Sequence, residues 1–105
     1  MSLSPEYAAS RAAFIQLRRI VEKMASTAPA DCDVVVEASA GEGQSYLIVG
    51  EIIYTKPDTI TFHELSTDAY RASFVAAEGE PFFATVDITR KCVGARKVTR
   101  FVDRS

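Results

Sequence analysis

Between Tyr7 and Met24 apolar side chains return every three or four positions. Tyr7, Phe14, Leu17, Val21 and Met24 form the stripe, Ser10 shares its register, and Ile15 and Ile20 flank it. Arg11, Arg18, Arg19, Glu22 and Lys23 take the remaining surface. That period predicts an amphipathic helix of about six turns with one face seeking a partner. Ser4-Pro5-Glu6 reads as its start: a serine cap, a proline in the first turn, and an acid at the positive end of the helix dipole. Pro29 marks its end, because the residue before a proline is pushed out of helical conformation.

From Asp33 the period becomes two. Asp33 to Ser39 reads as a strand with Val34, Val36 and Ala38 on one face, and Ala40-Gly41-Glu42-Gly43-Gln44 as a hairpin connection. Ser45 to Thr55 is apolar on both parities: Tyr46, Ile48, Ile52 and Tyr54 alternate with Leu47, Val49 and Ile53. Such a strand is either central or bent around a core, with Gly50 as the bend point. After a turn at Lys56-Pro57-Asp58, Thr59 to Leu65 forms a strand with Ile60 and Phe62 inward. Glu80 to Thr89 forms another, with Phe82, Ala84, Val86 and Ile88 inward and Asp87 outward.

Two segments admit both periods. Ser66 to Gly79 reads as a short helix or irregular excursion carrying Tyr70, Phe74 and Ala77 on one face, although Tyr70, Ala72, Phe74 and Ala76 also alternate. Near the C-terminus Ala95, Val98, Phe101 and Val102 fit a helical face. The β-branched content of Val98-Thr99-Arg100-Phe101-Val102 favours a final strand.

These patterns predict an α+β fold: one long N-terminal helix packed on a strongly bent antiparallel sheet of about five strands, curled toward a small barrel. The domain is single, 1–105, with the helix in 1–30 and the sheet in 31–105, interrupted by the 66–79 excursion. Phe14, Leu17, Val21 and Met24 should pack on Val34, Val36, Ile48, Ile52, Phe62, Val86 and Ile88. Tyr46, Leu47, Val49, Ile53 and Phe83 then remain as apolar surface beyond what one sheet face hides, to be covered in part by the 66–79 excursion and in part by a homodimer interface.

A hydrophobic fraction of 48% and a charged fraction of 25% over 105 residues describe a globular chain and exclude disorder and rod-like repeats. The net charge of −2 conceals a layout of three blocks. Residues 1–30 hold four basic and two acidic groups, 31–80 two basic and ten acidic, and 81–105 six basic and two acidic. An acidic centre between basic ends predicts attraction within the fold. Two cysteines, Cys32 and Cys92, suit free thiols in a reducing cytoplasm, while one disulfide between them stays open. No apolar run reaches the roughly 18 residues of a membrane span and no signal peptide is read, so a cytoplasmic protein with no membrane partner is expected.

Candidate chemistry is sparse. His63 is the only histidine and sits beside Glu64 in a strand, so the two point to opposite faces. No nucleophile or orienting acid lies near it in sequence, and an ordinary rim histidine is the simpler account. His63, Asp68, Tyr70 and Arg71, with Glu78 and Glu80, would line a pocket if the excursion folded over the sheet, the arrangement a small enzyme or ligand carrier would use. Close-spaced ligand pairs for a metal are lacking, and no cofactor is implied. Gly41-Glu42-Gly43 lacks the third glycine and the lysine of a phosphate loop. The densest signal is the basic group Arg90, Lys91, Arg96, Lys97, Arg100 and Arg104, which would suit a phosphate backbone with Phe101 or Tyr70 stacking on bases. Against it stand the acidic total and the absence of interleaved aromatics.

Gly50-Glu51-Ile52 through Thr59-Ile60-Thr61-Phe62 resembles the second and third strands of the Sm-like small barrels: a glycine bend, a turn, then an apolar strand. Val93 to Val98 is similar to their closing segment. The resemblance covers about a third of the chain, lacks the Asp/Asn pair of the uridine pocket, and meets a long insertion at Ser66–Gly79. It therefore implies a topology and not a function. The leading expectation is a non-catalytic binding or accessory protein acting through a protein–protein surface, with nucleic-acid binding and a small enzyme or carrier as the alternatives.

Overall fold

A computed structural model describes residues 6–41, 45–65, 72–90 and 96–105. Among them are β1 (Glu6–Ala8), α1 (Arg11–Thr27), β2 (Cys32–Ser39), β3 (Leu47–Thr55), β4 (Thr59–Glu64), β5 (Ser73–Ala76), β6 (Pro81–Arg90) and β7 (Arg100–Arg104). The strands form one sheet in the order β1-β6-β2-β3-β4-β5, with β7 off this path against β3. The sheet curls as a half-barrel and α1 packs in its concave side, so the α+β architecture is the one the patterns predict. A radius of gyration of 13.1 Å is that of one compact unit of this length.

The helix is shorter than its spacing predicts. Its cap is Ser10, whose backbone is extended and whose hydroxyl accepts the Ala13 N–H at 3.1 Å. Glu6 lies in β1 instead, while Ser4 and Pro5 lie outside the described residues. Ladder hydrogen bonds to β6 and the stacking of Tyr7 on Phe82 (centroids 5.4 Å apart) outweigh the extra helical turns. At the other end Ala28 leaves the helix just before Pro29, its N–H closing on the Met24 carbonyl at 2.8 Å. Phe14, Leu17 and Val21 are fully buried and Met24 packs at the edge of the same cluster.

They meet Val34, Val36 and Ala38 of β2, Phe82 and Ala84 of β6, Ile60 and Phe62 of β4, and Val49, Ile52 and Tyr54 of β3. Aromatic contacts tie the two ends of this core. Phe62 stacks on Phe74 at 4.5 Å and tilts against Phe82 at 5.0 Å, and Phe14 meets Tyr54 and Phe101 at 5.6 Å each.

Three expectations are corrected here. Ser73–Ala76 is a strand, not part of a short helix: Ala76 is buried and Ala77 exposed, so the segment follows the two-residue period that β4 rewards with a ladder. With β1, this makes seven strands rather than about five. Ile48 was expected inside and is 47% exposed, because the β3–β4 register shifts between Val49 and Glu51. One extra residue at Gly50 turns the inward set from Leu47 and Val49 to Ile52 and Tyr54, so both apolar parities of β3 are used in turn. Ile88 is 43% exposed, because the last three residues of β6 run beyond the covered core.

The C-terminal segment enters the sheet as a wedge. β2 and β3 pair only over Val36–Ala38 and Leu47–Val49 and then diverge. Into the gap comes Lys97–Arg104, bridging Val34 in parallel through Val98 and pairing in parallel with Glu51–Thr55 of β3 through β7. Because β2 and β3 run in opposite directions, a segment parallel to both must reverse, and it does so at Thr99. Buried to 3% exposure, the Thr99 hydroxyl accepts the Val36 N–H at 2.8 Å and donates to the Val49 carbonyl at 2.7 Å. It bridges the two backbone groups at the point where the hairpin opens.

Thr99→Val keeps the shape and removes the bridge. It is expected to lower stability by about 2–4 kcal/mol, since two buried backbone groups lose a partner at once. Thr99→Ser, which keeps the hydroxyl, is expected to cost about 1 kcal/mol or less for the lost methyl. Urea denaturation of the three proteins checks both values.

Candidate functional site

With α1 on the inner face, chemistry that meets a partner through the sheet must use the outer one. Alternation along each strand sends Asp33, Val35, Glu37 and Ser39 of β2 outward, with Phe83, Thr85 and Asp87 of β6 beside them. Beyond the Gly50 bulge, Glu51 and Ile53 of β3 face out together with Arg100 and Val102 of β7 and with Thr61 and His63 of β4. Val35 and Ile53 are buried on this face, closed in by their neighbours.

A polar row crosses it. Glu51 stands opposite Arg100 on one side and His63 on the other, and His63 stands opposite Ser73. The Glu51 carboxylate is 7% exposed and accepts Arg100 Nε at 2.9 Å, with Arg100 Nη2 on the same oxygen. His63 shares its side of β4 with Thr59 and Thr61, and it is half-buried rather than freely solvated. Asp68, Tyr70 and Arg71, named with it as pocket residues, lie outside the described residues, while Glu78 and Glu80 are exposed. The structure therefore brings His63 to Glu51, a carboxylate that strand alternation alone did not single out.

Part of the basic group is engaged within the fold. Arg100 holds Glu51, Arg96 donates to the Ala25 carbonyl near the C-terminal end of α1 at 2.9 Å, and Arg90 lies 3.8 Å from Asp31. The Lys97 backbone N–H donates to Asp33 at 2.8 Å, and its side chain is exposed. Lys91 lies outside the described residues. At the other basic end Arg11 grips Asp103 through two bonds of 3.0 Å and sits 5.5 Å from the centre of the Tyr54 ring. The hydrogen bond from Arg11, followed by that from Ser105, holds the Asp103 carboxyl down at about 2. Arg90 and Arg100 thus link the basic C-terminal block to the acidic centre, as the charge layout predicts.

A second acidic pair was invisible in the chain. Val35 faces Asp87 and Glu37 faces Thr85 in the β2–β6 ladder, so Glu37 and Asp87 are diagonal neighbours on the outer face. A hydrogen bond to Asp87, then burial, then the Asp87 charge push the Glu37 carboxyl up to about 7. The only signal in the sequence was an acid at an outward position of each strand; their adjacency depends on a long-range register.

Cys32 is a free thiol whose Sγ lies 3.6 Å from Asp31. Burial, with the Asp31 charge behind it, pushes that thiol up and away from nucleophilic use. Cys92 lies outside the described residues, as does any pairing with it. On the solvent side of α1, away from all of these groups, an open groove of about 430 Å³ is lined by Ala12, Ile15, Gln16, Arg19 and Ile20. Among the described residues no group of three or more His, Cys, Asp or Glu side chains is placed to hold a metal ion, and no helix is long and apolar enough to cross a membrane.

Comparison of the chain with family models, curated proteins and solved structures finds no match.

Arg100→Ala leaves the Glu51 carboxylate in a half-closed site without its cation. It is expected to destabilise the protein by about 1.5–3 kcal/mol. Arg100→Ala combined with Glu51→Gln is expected to recover part of that loss, measured as a double-mutant cycle in urea.

Proposed function

We propose that this chain is a non-catalytic binding protein that works through a protein–protein surface on the outer face of its sheet, and that its first partner there is a second copy of itself. One observation carries the reading. Tyr46 just before β3, Ile48 in β3 and Val75 on β5 leave 46%, 47% and 56% of their surface in water. Large apolar side chains left in water on a small domain favour association, because removing them from water is worth about 25 cal/mol per Å². The Gly50 bulge supports the same reading. It uses the second apolar parity of β3 to close the core below the bulge and leaves Ile48 outside above it.

Arg96 and Arg100 are engaged with a carbonyl and an acid of the chain, which leaves fewer cations to release counterions from a phosphate backbone. A reducing, cytoplasmic setting fits the free Cys32 thiol.

Light scattering on a sizing column, across a concentration series, tests the proposal. A dimer that Ile48→Ser, which adds no charge opposite Glu37, converts to a folded monomer with an unchanged circular-dichroism spectrum is the expected result. A monomer at every concentration would sink the self-association reading. A ring of five or more subunits would replace it with the nucleic-acid reading, and salt-dependent RNA binding weakened by Arg100→Ala would then be the next measurement.

A further inference from the structure

We infer that Glu37 and Asp87 form a proton-held clasp between β2 and β6, in which the acid form of Glu37 donates to the Asp87 carboxylate and the clasp opens when that proton leaves. The inference is independent of what the outer face binds.

The geometry comes first. β2 and β6 share the longest ladder of the sheet, from Cys32 opposite Arg90 to Ser39 opposite Phe83. Glu37 and Asp87 sit diagonally within it on the outer face, close enough for a glutamate to span the gap. Asp87 Oδ2 is sealed from water and has no hydrogen-bond partner among the described residues. A buried carboxylate oxygen without a donor is costly, and a carboxylic acid on Glu37 supplies the missing one.

The surrounding charges favour the proton. Asp33 faces out from β2 and accepts the Lys97 N–H, Glu6 faces out from β1 beyond β6, and Glu51 on β3 is occupied by Arg100 from β7. Thr85 on β6 and Ile48 on β3, the residues opposite Glu37, are uncharged. Among the described residues no lysine, arginine or histidine forms an ion pair with either carboxylate. The pair therefore carries one negative charge with the proton and two without it, and two adjacent charges in a partly closed site repel.

The sign of the pH dependence follows. Glu37 is held at about 7 in the fold against 4.5 for the free group. Its contribution is complete below about pH 4.5, declines as pH rises through the interval, and is gone above about 7. The folded protein is thus less stable at pH 8 than at pH 5, the reverse of a carboxylate held by an arginine.

Thermal unfolding of the whole chain from pH 5 to pH 8 tests this. The midpoint is expected to fall by about 5 °C across that range. Glu37→Gln, which keeps a neutral donor facing Asp87, is expected to flatten the curve. Imidazoles titrate in the same window, so the series is repeated in His63→Gln, which is expected to keep the slope. A midpoint that does not fall, or a slope that survives in Glu37→Gln, would overturn the clasp. Should that variant fail to fold, carboxyl NMR of the unaltered protein decides: a Glu37 signal titrating near 7 supports the clasp, and one titrating between 4 and 5 refutes it.

Discussion

A buried backbone N–H and a buried backbone carbonyl on neighbouring strands can both be satisfied by one third group that accepts and donates. In this fold Val36 and Val49 supply that pair, and the Thr99 hydroxyl supplies the third group. Without it the β2–β3 hairpin would open onto an unsatisfied gap. With it the gap becomes the seat of the C-terminal segment, which runs up beside Val34 and back down along Glu51–Thr55. Most of what the C-terminus contributes follows from that seat. Phe101 reaches Phe14 in the core, Asp103 reaches Arg11 at the start of α1, and Arg100 reaches Glu51 on the outer face. A single hydroxyl thus coordinates elements drawn from both ends and the middle of the chain.

The two faces of the sheet solve different problems. Inside, the helix stripe and the aromatic contacts from Tyr7 to Phe74 fill the curl, and the buried Tyr54 hydroxyl donates to the Pro57 carbonyl at 2.6 Å. Outside, the buried Glu51 carboxylate is held by an arginine, and Glu37 and Asp87 are set diagonally side by side. The Gly50 bulge links the faces, because the same extra residue that turns Ile52 and Tyr54 inward leaves Ile48 outward. The exposure of Ile48 is thereby a consequence of how β3 bends.

Much of the inner face was legible from periodicity. The stripe Phe14, Leu17, Val21 and the inward sets of β2, β4 and the first half of β6 are where alternation and helical spacing put them. Local signals misled where they were complete in themselves. Ser4-Pro5-Glu6 has the composition of a helix start, yet Glu6–Ala8 joins β6, because Phe82 and the β6 edge offer more than another helical turn does. The candidate site was less legible than the fold. His63 was visible as a residue type and not as a neighbour of Glu51, and the pair Glu37 and Asp87 was not visible at all.

Spacing along the chain is a relation among neighbours, so it could settle the helix face, the α+β class and the acidic centre between basic ends. The bulge register, the reversal at Thr99 and the meeting of two acids across β2 and β6 are relations among residues dozens of positions apart. Their energies reside in partner groups that the local sequence does not contain: an open carbonyl, a sealed carboxylate oxygen, a free sheet edge. Only the folded chain brings those partners together, and the chemistry of the outer face was therefore decided by tertiary structure.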